Sequence, residues 1–329
     1  MNTHDLILQD MERELERLTS TSIGRRAFLA TVPLLLAGCA STSRHRYREG
    51  DNRGQETSIT VEDEKRMAKQ YLPEMTKAYP PLEDKELQDY VGGIGNRIVV
   101  SNNLNNNPYQ YNFTVVHTDM VNAFALPAGS IFVTAPLIKM CESEAELAGV
   151  IGHEIGHVKA RHAAERIEEQ KKEGVKSILY GLGGAILGGA AGYGLGKVIC
   201  KKNDKDCMER VAKYGAIAGA AGGLLIQKFA FLANSREDEM EADRVGFKTA
   251  VNAGYHKDHV GTFYNRLLDM EKKASKKEKS PLLASLSDAL STHPPSEERV
   301  IQMTELASNA VNVGKTITTR EFKKRQKGL

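Results

Sequence analysis

The sequence predicts a mainly helical α+β domain with one small sheet and a glycine-rich helical hairpin inserted between two groups of metal-ligand residues. Three observations lead there. Apolar residues recur at helical spacing through most of the chain after residue 60; a block rich in Val, Ile, Phe and Thr between residues 111 and 134 is bounded by turn residues; and two apolar, glycine-rich stretches separate His153 and His157 from Glu239 and Asp243. With 329 residues and 41% apolar content, the chain can bury a substantial core. Its 45 Lys and Arg against 42 Asp and Glu leave a formal charge of +3, without the basic footprint of a nucleic-acid binder, so nucleic acid is excluded as a partner. Four cysteines are too few for a disulfide scaffold.

From the amino terminus, residues 1–38 read as an export signal. Arg25 and Arg26 precede an apolar run that ends in Leu36, Ala37, Gly38 and Cys39. The run falls short of the roughly 20 apolar residues a spanning helix needs. Leu-Ala-Gly-Cys resembles the bacterial lipobox, which implies that Cys39 becomes the lipid-bearing first residue of the mature chain. The Arg pair followed by Phe28 and Leu29 resembles a twin-arginine signal, with the general secretory route as the alternative. Ala40, by resemblance to known sorting behaviour, favours the outer membrane. Residues 39–57, the lipidated Cys and a polar stretch rich in Arg, Ser and Gly, form a flexible tether.

The folded domain is expected over residues 58–312. Thr60 and Asp63 open a helix over 61–78 with Met67, Tyr71 and Met75 at helical spacing. A second runs from about Asp84 to Val100, with Leu87, Tyr90, Val91, Ile94 and Ile98 on one face, and an Asn-rich loop follows at 102–108. Tyr111–His117 and Phe124–Thr134 read as strands. The rest is almost wholly helical. Residues 177–230 hold the hairpin insert: Gly184, Gly188, Gly192 and Gly196 on one arm, Gly215, Gly219 and Gly223 on the other, each form a smooth strip that permits close packing. Its polar tip, between Cys200 and Cys207, reads as closed by a disulfide. A hairpin crossing the inner membrane would put that disulfide in the reducing cytosol, and outer membranes are spanned by barrels, so the hairpin is expected on the domain or at the lipid surface. Cys141 reads as a buried thiol, and residues 313–329, with Lys323, Lys324, Arg325 and Lys327, as a basic tail.

Ser143 and Glu146 match a capping box opening the helix that carries His153, Glu154 and His157. Two His four apart lie one turn from each other on a single helix face, so both imidazoles reach one zinc while Glu154 stands beside them to act on a water. A catalytic zinc wants a third protein ligand. Glu239 and Asp243, again four apart, supply one: either binds the metal while the other orients a ligand His, or both belong to a solvated helix surface.

Ser143 to His157 with Arg161 and His162, together with Ser235 to Gly246, resembles the zinc metallopeptidases related to HtpX, BepA and LoiP and, more distantly, the CAAX prenyl proteases. Asn122 to Val133 and Ser291-Thr-His-Pro294, with Arg299 behind it, match the same family. The resemblance implies one zinc per chain on His153, His157 and Glu239, with Glu154 as general base and Asp243 behind a ligand His. It implies that His293 is either a fourth ligand holding the enzyme shut or a transition-state donor, where the plainer reading is a His fixed in a Pro-bounded turn. It also implies that the strand of Asn122, Phe124 and Ala125 lays out an extended substrate, against the alternative that it is sheet core. Ala128 stands where the family commonly has Gly, with little consequence expected. His162 reads as helix surface, and His117, His256 and His259 as structural. The function expected is a lipid-anchored zinc endopeptidase of the cell envelope, facing the periplasm and cutting misfolded or stalled envelope proteins. The alternative is an envelope-protein assembly or chaperone factor whose metal site is gated or inactive.

Overall fold

Thr60 caps helix α1 (Val61–Ala78) reciprocally: its hydroxyl accepts the Asp63 N–H at 3.1 Å, and the Asp63 carboxylate accepts the Thr60 N–H at 2.9 Å. Orphan amides of the first turn are thereby satisfied. The computed structural model describes residues 50, 52, 55, 57–169, 234–274, 286, 289–311 and 314–329. The expected export signal 1–38, the lipidation site Cys39 and the whole of the insert 177–230, including Cys200, Cys207 and the glycine strips, lie outside the described residues. Helix α2 (Lys85–Ser101) starts on Asp84, whose carboxylate accepts the Leu87 N–H, and turns Leu87, Val91, Ile94 and Ile98 into the core. Both helices fall where helical periodicity places them. Among the described residues, no helix is long and apolar enough to cross a membrane.

The sheet has three strands in the order β1-β3-β2, where β1 is Asn112–Val116, β2 Ala123–Ala125 and β3 Ser130–Thr134. β1 runs parallel to β3, and β2 antiparallel to it, with Phe124 opposite Phe132. The single strand expected over Phe124–Thr134 is therefore two, broken by a 3₁₀ turn at Pro127–Gly129. Ala128 and Gly129 take positive φ, 64° and 105°, and reverse the chain. Val115, Ile131 and Val133 face the main core, while Val116, Phe124 and Phe132 join Met75 and Tyr79 under α1. Burial on both faces makes Ile131, Phe132 and Val133 an unbroken apolar run within β3, so alternation does not mark the strand.

Helices α3 (Ala135–Met140), α4 (Glu144–Lys159), α5 (Arg236–Asn252), α6 (Lys257–Val260), α7 (Thr262–Ala274), α8 (Glu297–Asn309) and α9 (Arg320–Lys327) follow the sheet. In α4 every residue from Glu144 to Val158 is buried. Its capping box is half as expected. Ser143 Oγ accepts the Glu146 N–H at 3.2 Å, but the Glu146 carboxylate accepts from the Glu142 N–H at 2.7 Å and pairs with Arg266. A buried carboxylate requires a cationic partner, and Arg266 supplies it. The packing of α4 on α5 is set by glycine. A Cβ on Gly246 would stand 2.6 Å from His153 N, and one on Gly152 would stand 2.7 Å from Gly246 O, so the two backbones touch beside His153.

Described residues on either side of 58–312 also bond to the domain. Before residue 58, the Asn52 and Gln55 side-chain amides donate to Lys159 O and Ala160 O, each at 2.9 Å, and so cap the carboxyl end of α4. Beyond residue 312, the Ala145 N–H at the start of α4 donates to Ile317 O at 2.9 Å, and Phe322 is fully buried. The basic tail is thus docked: its one aromatic enters the core while Arg325 pairs with Glu86 and Glu321 at the surface. Cys141 is buried and free, and burial pushes its thiol pKa up.

Candidate metal centre

Helix α4 presents His153 and His157 one turn apart, α5 presents Glu239, and the Thr292-His293-Pro294 segment ahead of α8 delivers His293. One ligand atom from each of the four lies within 4.8 Å of the others. His153 Nε2 is 2.9 Å from His157 Nε2 and 3.3 Å from His293 Nδ1. Glu239 Oε1 is 3.2 Å from His157 Nε2 and 3.1 Å from His293 Nδ1. Ligand atoms of a tetrahedral zinc, at bonds of about 2.0–2.1 Å, stand about 3.3 Å apart, so the cluster has the size of a metal site. Its chemistry agrees. Imidazole nitrogens and a carboxylate oxygen point their lone pairs at a common centre, an arrangement that a cation stabilises.

Behind the ligands, His153 Nδ1 is 2.8 Å from Asp243 Oδ1. Arg299 brackets that carboxylate with Nε and Nη2 at 2.7 Å and reaches Glu239 Oε2 with Nη1, also at 2.7 Å. Of the two readings of Glu239 and Asp243, the structure brings Glu239 into the cluster and puts Asp243 behind His153; neither is solvated. Burial would raise both carboxyls, but Arg299 outweighs it and holds Asp243 low, and with His293 and His153 holds Glu239 well below the usual range. Burial opposes charge on His153, yet Glu239 and Asp243 prevail and push its pKa up to about 9. Burial, with the charge on His153, keeps His157 well below its ordinary value and neutral. Glu154 is buried beside the cluster, its Oε1 3.5 Å from His293 Nε2.

One expectation needs correction. His162 is not on the surface but fully buried, its Nδ1 2.8 Å from His157 Nδ1. The chain turns at Arg161, whose φ is 58°, and the helical segment 162–169 that follows packs its first residue inward. His117 is exposed and bonds to the fold through its backbone N–H, which donates to Pro80 O at 2.9 Å, whereas His256 caps α6 by accepting the Asp258 N–H. Asn234, one residue before the Ser235–Asp238 capping box that starts α5, joins the cluster without a motif of its own in the sequence. Its Nδ2 donates to Glu239 Oε1 and lies 3.2 Å from His157 Nε2. Only the neighbouring Ser-x-x-Asp pattern hinted at it.

β2 is an edge strand that packs against α4. Asn122 and Phe124 are buried, Ala125 partly so. The Phe124 ring stacks on Phe132 at 5.0 Å, so Phe124 offers only its backbone to anything outside the sheet.

A His-Glu-x-x-His turn on one buried helix, a carboxylate from a second helix in backbone contact with it that could join the two His on a metal, and a buried glutamate alongside fit a metal-dependent hydrolase. A profile of peptidase family M48 matches residues 81–307, well over half the chain, and the chain belongs to that family of metallopeptidases. It is 27% identical over 232 residues to the Beta-barrel assembly-enhancing protease of Yersinia pestis, covering 70% of this chain and 43% of that one. To the protein of the same name in Escherichia coli K12 it is 25% identical over 244 residues, 74% of this chain and 44% of the relative. The Mitochondrial metalloendopeptidase OMA1 of Arabidopsis thaliana is 32% identical over 185 residues, 56% of this chain and 29% of that one. The chain thus spans less than half the length of these relatives.

Proposed function

We propose that this chain is a zinc endopeptidase, one ion per chain, that hydrolyses peptide bonds in misfolded or stalled envelope proteins. The observation that carries the reading is the convergence of His153, His157 and Glu239 on one point with Glu154 beside it. Zinc held there supplies a Lewis acid for the scissile carbonyl and brings the pKa of a water to about 7. Glu154 takes the proton of the attacking water on a carboxylate oxygen and passes it to the leaving amine. Asp243 holds the His153 ring, and Arg299 keeps that carboxylate ionised.

Among the described residues β2 has no strand on its outer edge, which supports a substrate path along Asn122, Phe124 and Ala125, with recognition through main-chain hydrogen bonds and little demand on sequence. Asn122 Oδ1 is a buried acceptor with no partner among the described residues, and a substrate amide would satisfy it. The envelope substrate class draws support from the names of the bacterial relatives. Lipid anchoring at Cys39, a periplasm-facing place at the outer membrane and a disulfide-closed hairpin at Cys200 and Cys207 belong to the same proposal and rest on the sequence patterns.

A second reading has its own observation. His293 Nδ1 stands in the cluster itself, so it can take the fourth ligand position and shut the site, leaving an assembly or chaperone role. Purified protein given an unfolded outer-membrane protein separates the two. Wild type is expected to cleave it, Glu154→Gln to lose about 10²- to 10⁴-fold in rate, and His293→Ala to retain zinc. Equal cleavage by wild type and Glu154→Gln ends the peptidase reading; binding without cleavage by either, relieved in His293→Ala, favours the gated one.

A further inference from the structure

His162 has no part in the chemistry above, yet it is wholly buried against a metal-ligand candidate. His157 Nε2 faces the cluster, 3.2 Å from Glu239 Oε1, and must present a lone pair there to bind a metal. Its ring proton therefore sits on Nδ1. That atom is 2.8 Å from His162 Nδ1, and a hydrogen bond between two imidazole nitrogens takes one N–H and one lone pair. His162 Nδ1 accepts, which leaves its own proton on Nε2. Nε2 in turn faces Glu241 Oε2 at 3.3 Å, with Asp238 Oδ1 at 3.7 Å. The other Glu241 oxygen accepts the Gly50 N–H at 2.9 Å. Each donor in this chain meets an acceptor, and only one tautomer of each His satisfies it.

The backbone is shaped to make the contact. Arg161 occupies the left-handed region and is held there by Glu64, at 2.8 Å from its Nε, and by Ile59 O. This turn ends the run of α4 and swings His162 back onto a ring five positions earlier in the chain, where a continued helix would carry it past.

We propose that His162 is a positioning residue, which with Glu241 fixes the tautomer and ring orientation of the metal ligand His157 as Asp243 does for His153. The proposal rests on the metal-centre reading, and it adds that both His ligands are held from behind by different means, one by a carboxylate and the other by a histidine backed by a carboxylate.

The test is zinc affinity of the full chain, read by competition with a chromophoric chelator, together with the visible spectrum of the cobalt(II)-substituted protein. His162→Phe keeps a ring of similar size and removes the acceptor; it is expected to weaken zinc binding about 10- to 100-fold and to shift the cobalt bands. His162→Gln restores an acceptor toward His157 and a donor toward Glu241, and is expected to regain most of that loss. Glu241→Gln, which leaves the rings in place, is expected to weaken binding about 3- to 10-fold and decides the matter if His162→Phe does not fold. Wild-type affinity and cobalt spectra in the folded variants, even with lowered stability, overturn the proposal. Equal zinc binding by wild type and His153→Ala overturns the metal-centre reading itself, and this proposal with it.

Discussion

Asp243 and His153 face each other across the α4–α5 contact, Oδ1 to Nδ1 at 2.8 Å, and the same carboxylate is gripped on both oxygens by Arg299. Because Arg299 also reaches Glu239, one buried guanidinium balances both the carboxylate proposed as a ligand and the carboxylate that holds His153. Two anions this close and this far from water could not both remain ionised without it.

Asp243→Asn keeps the shape and removes the charge, so zinc affinity is expected to fall about 10- to 100-fold in a chelator competition. Arg299→Met leaves the two carboxylates uncompensated and is expected to cost about 3–5 kcal/mol in urea unfolding of the metal-free protein. A loss below about 1 kcal/mol would mean that the carboxylates do not depend on Arg299.

Metal binding should release a proton. In the metal-free protein His153 keeps its proton up to about pH 9, while His157 is already neutral. Zinc is therefore expected to displace about one proton at pH 7, and its apparent affinity to rise about tenfold per pH unit until it levels near the His153 pKa. Titration calorimetry in buffers of different ionisation enthalpy measures the number. The raised pKa also gives the sign for the metal-free fold: the His153 contribution is full below its ordinary value of 6.5 and lost as pH rises through about 9.

At the helix contact, an added methyl group has nowhere to go. A Cβ on Gly246 would meet His153 N at 2.6 Å and Gly152 C at 2.8 Å, both backbone atoms. Gly246→Ala is expected to destabilise by about 1–3 kcal/mol and, by parting α5 from α4, to weaken zinc binding as well. Unchanged metal affinity in this variant would show that the ligand set tolerates separation of the helices.

Ala128 stands where glycine is common, with little consequence expected from the sequence, but its φ of 64° puts it in the region that glycine favours. Relief of roughly 1–2 kcal/mol of strain exceeds the roughly 0.5–1 kcal/mol that glycine adds in unfolded-chain entropy. Ala128→Gly is therefore expected to raise the urea midpoint modestly, and a lowered midpoint would show that the turn carries no strain.

Much of the site was legible because its chemistry obeys helical spacing. His153 and His157, and likewise Glu239 and Asp243, advertise themselves as pairs four apart, and Thr60 with Asp63 marks a helix start by local hydrogen bonding alone. The turn inside Phe124–Thr134 is hidden because Ile131, Phe132 and Val133 run on without alternation and Ala128 gives no sign of a positive φ. His162 was misread because its burial follows from a left-handed turn at an arginine, held by Glu64 almost a hundred residues earlier.

By itself the sequence determined which residues could bind a metal, since donor type and helix period are local properties. Only the tertiary structure decided which of them meet. Glu239 rather than Asp243 joins the two His because Arg299 and the glycine contact set the height and rotation of α5 against α4, and the backing of His157 by His162 exists because the chain turns back at Arg161. Those are relations between distant segments, fixed by packing and by the need to pair buried charge.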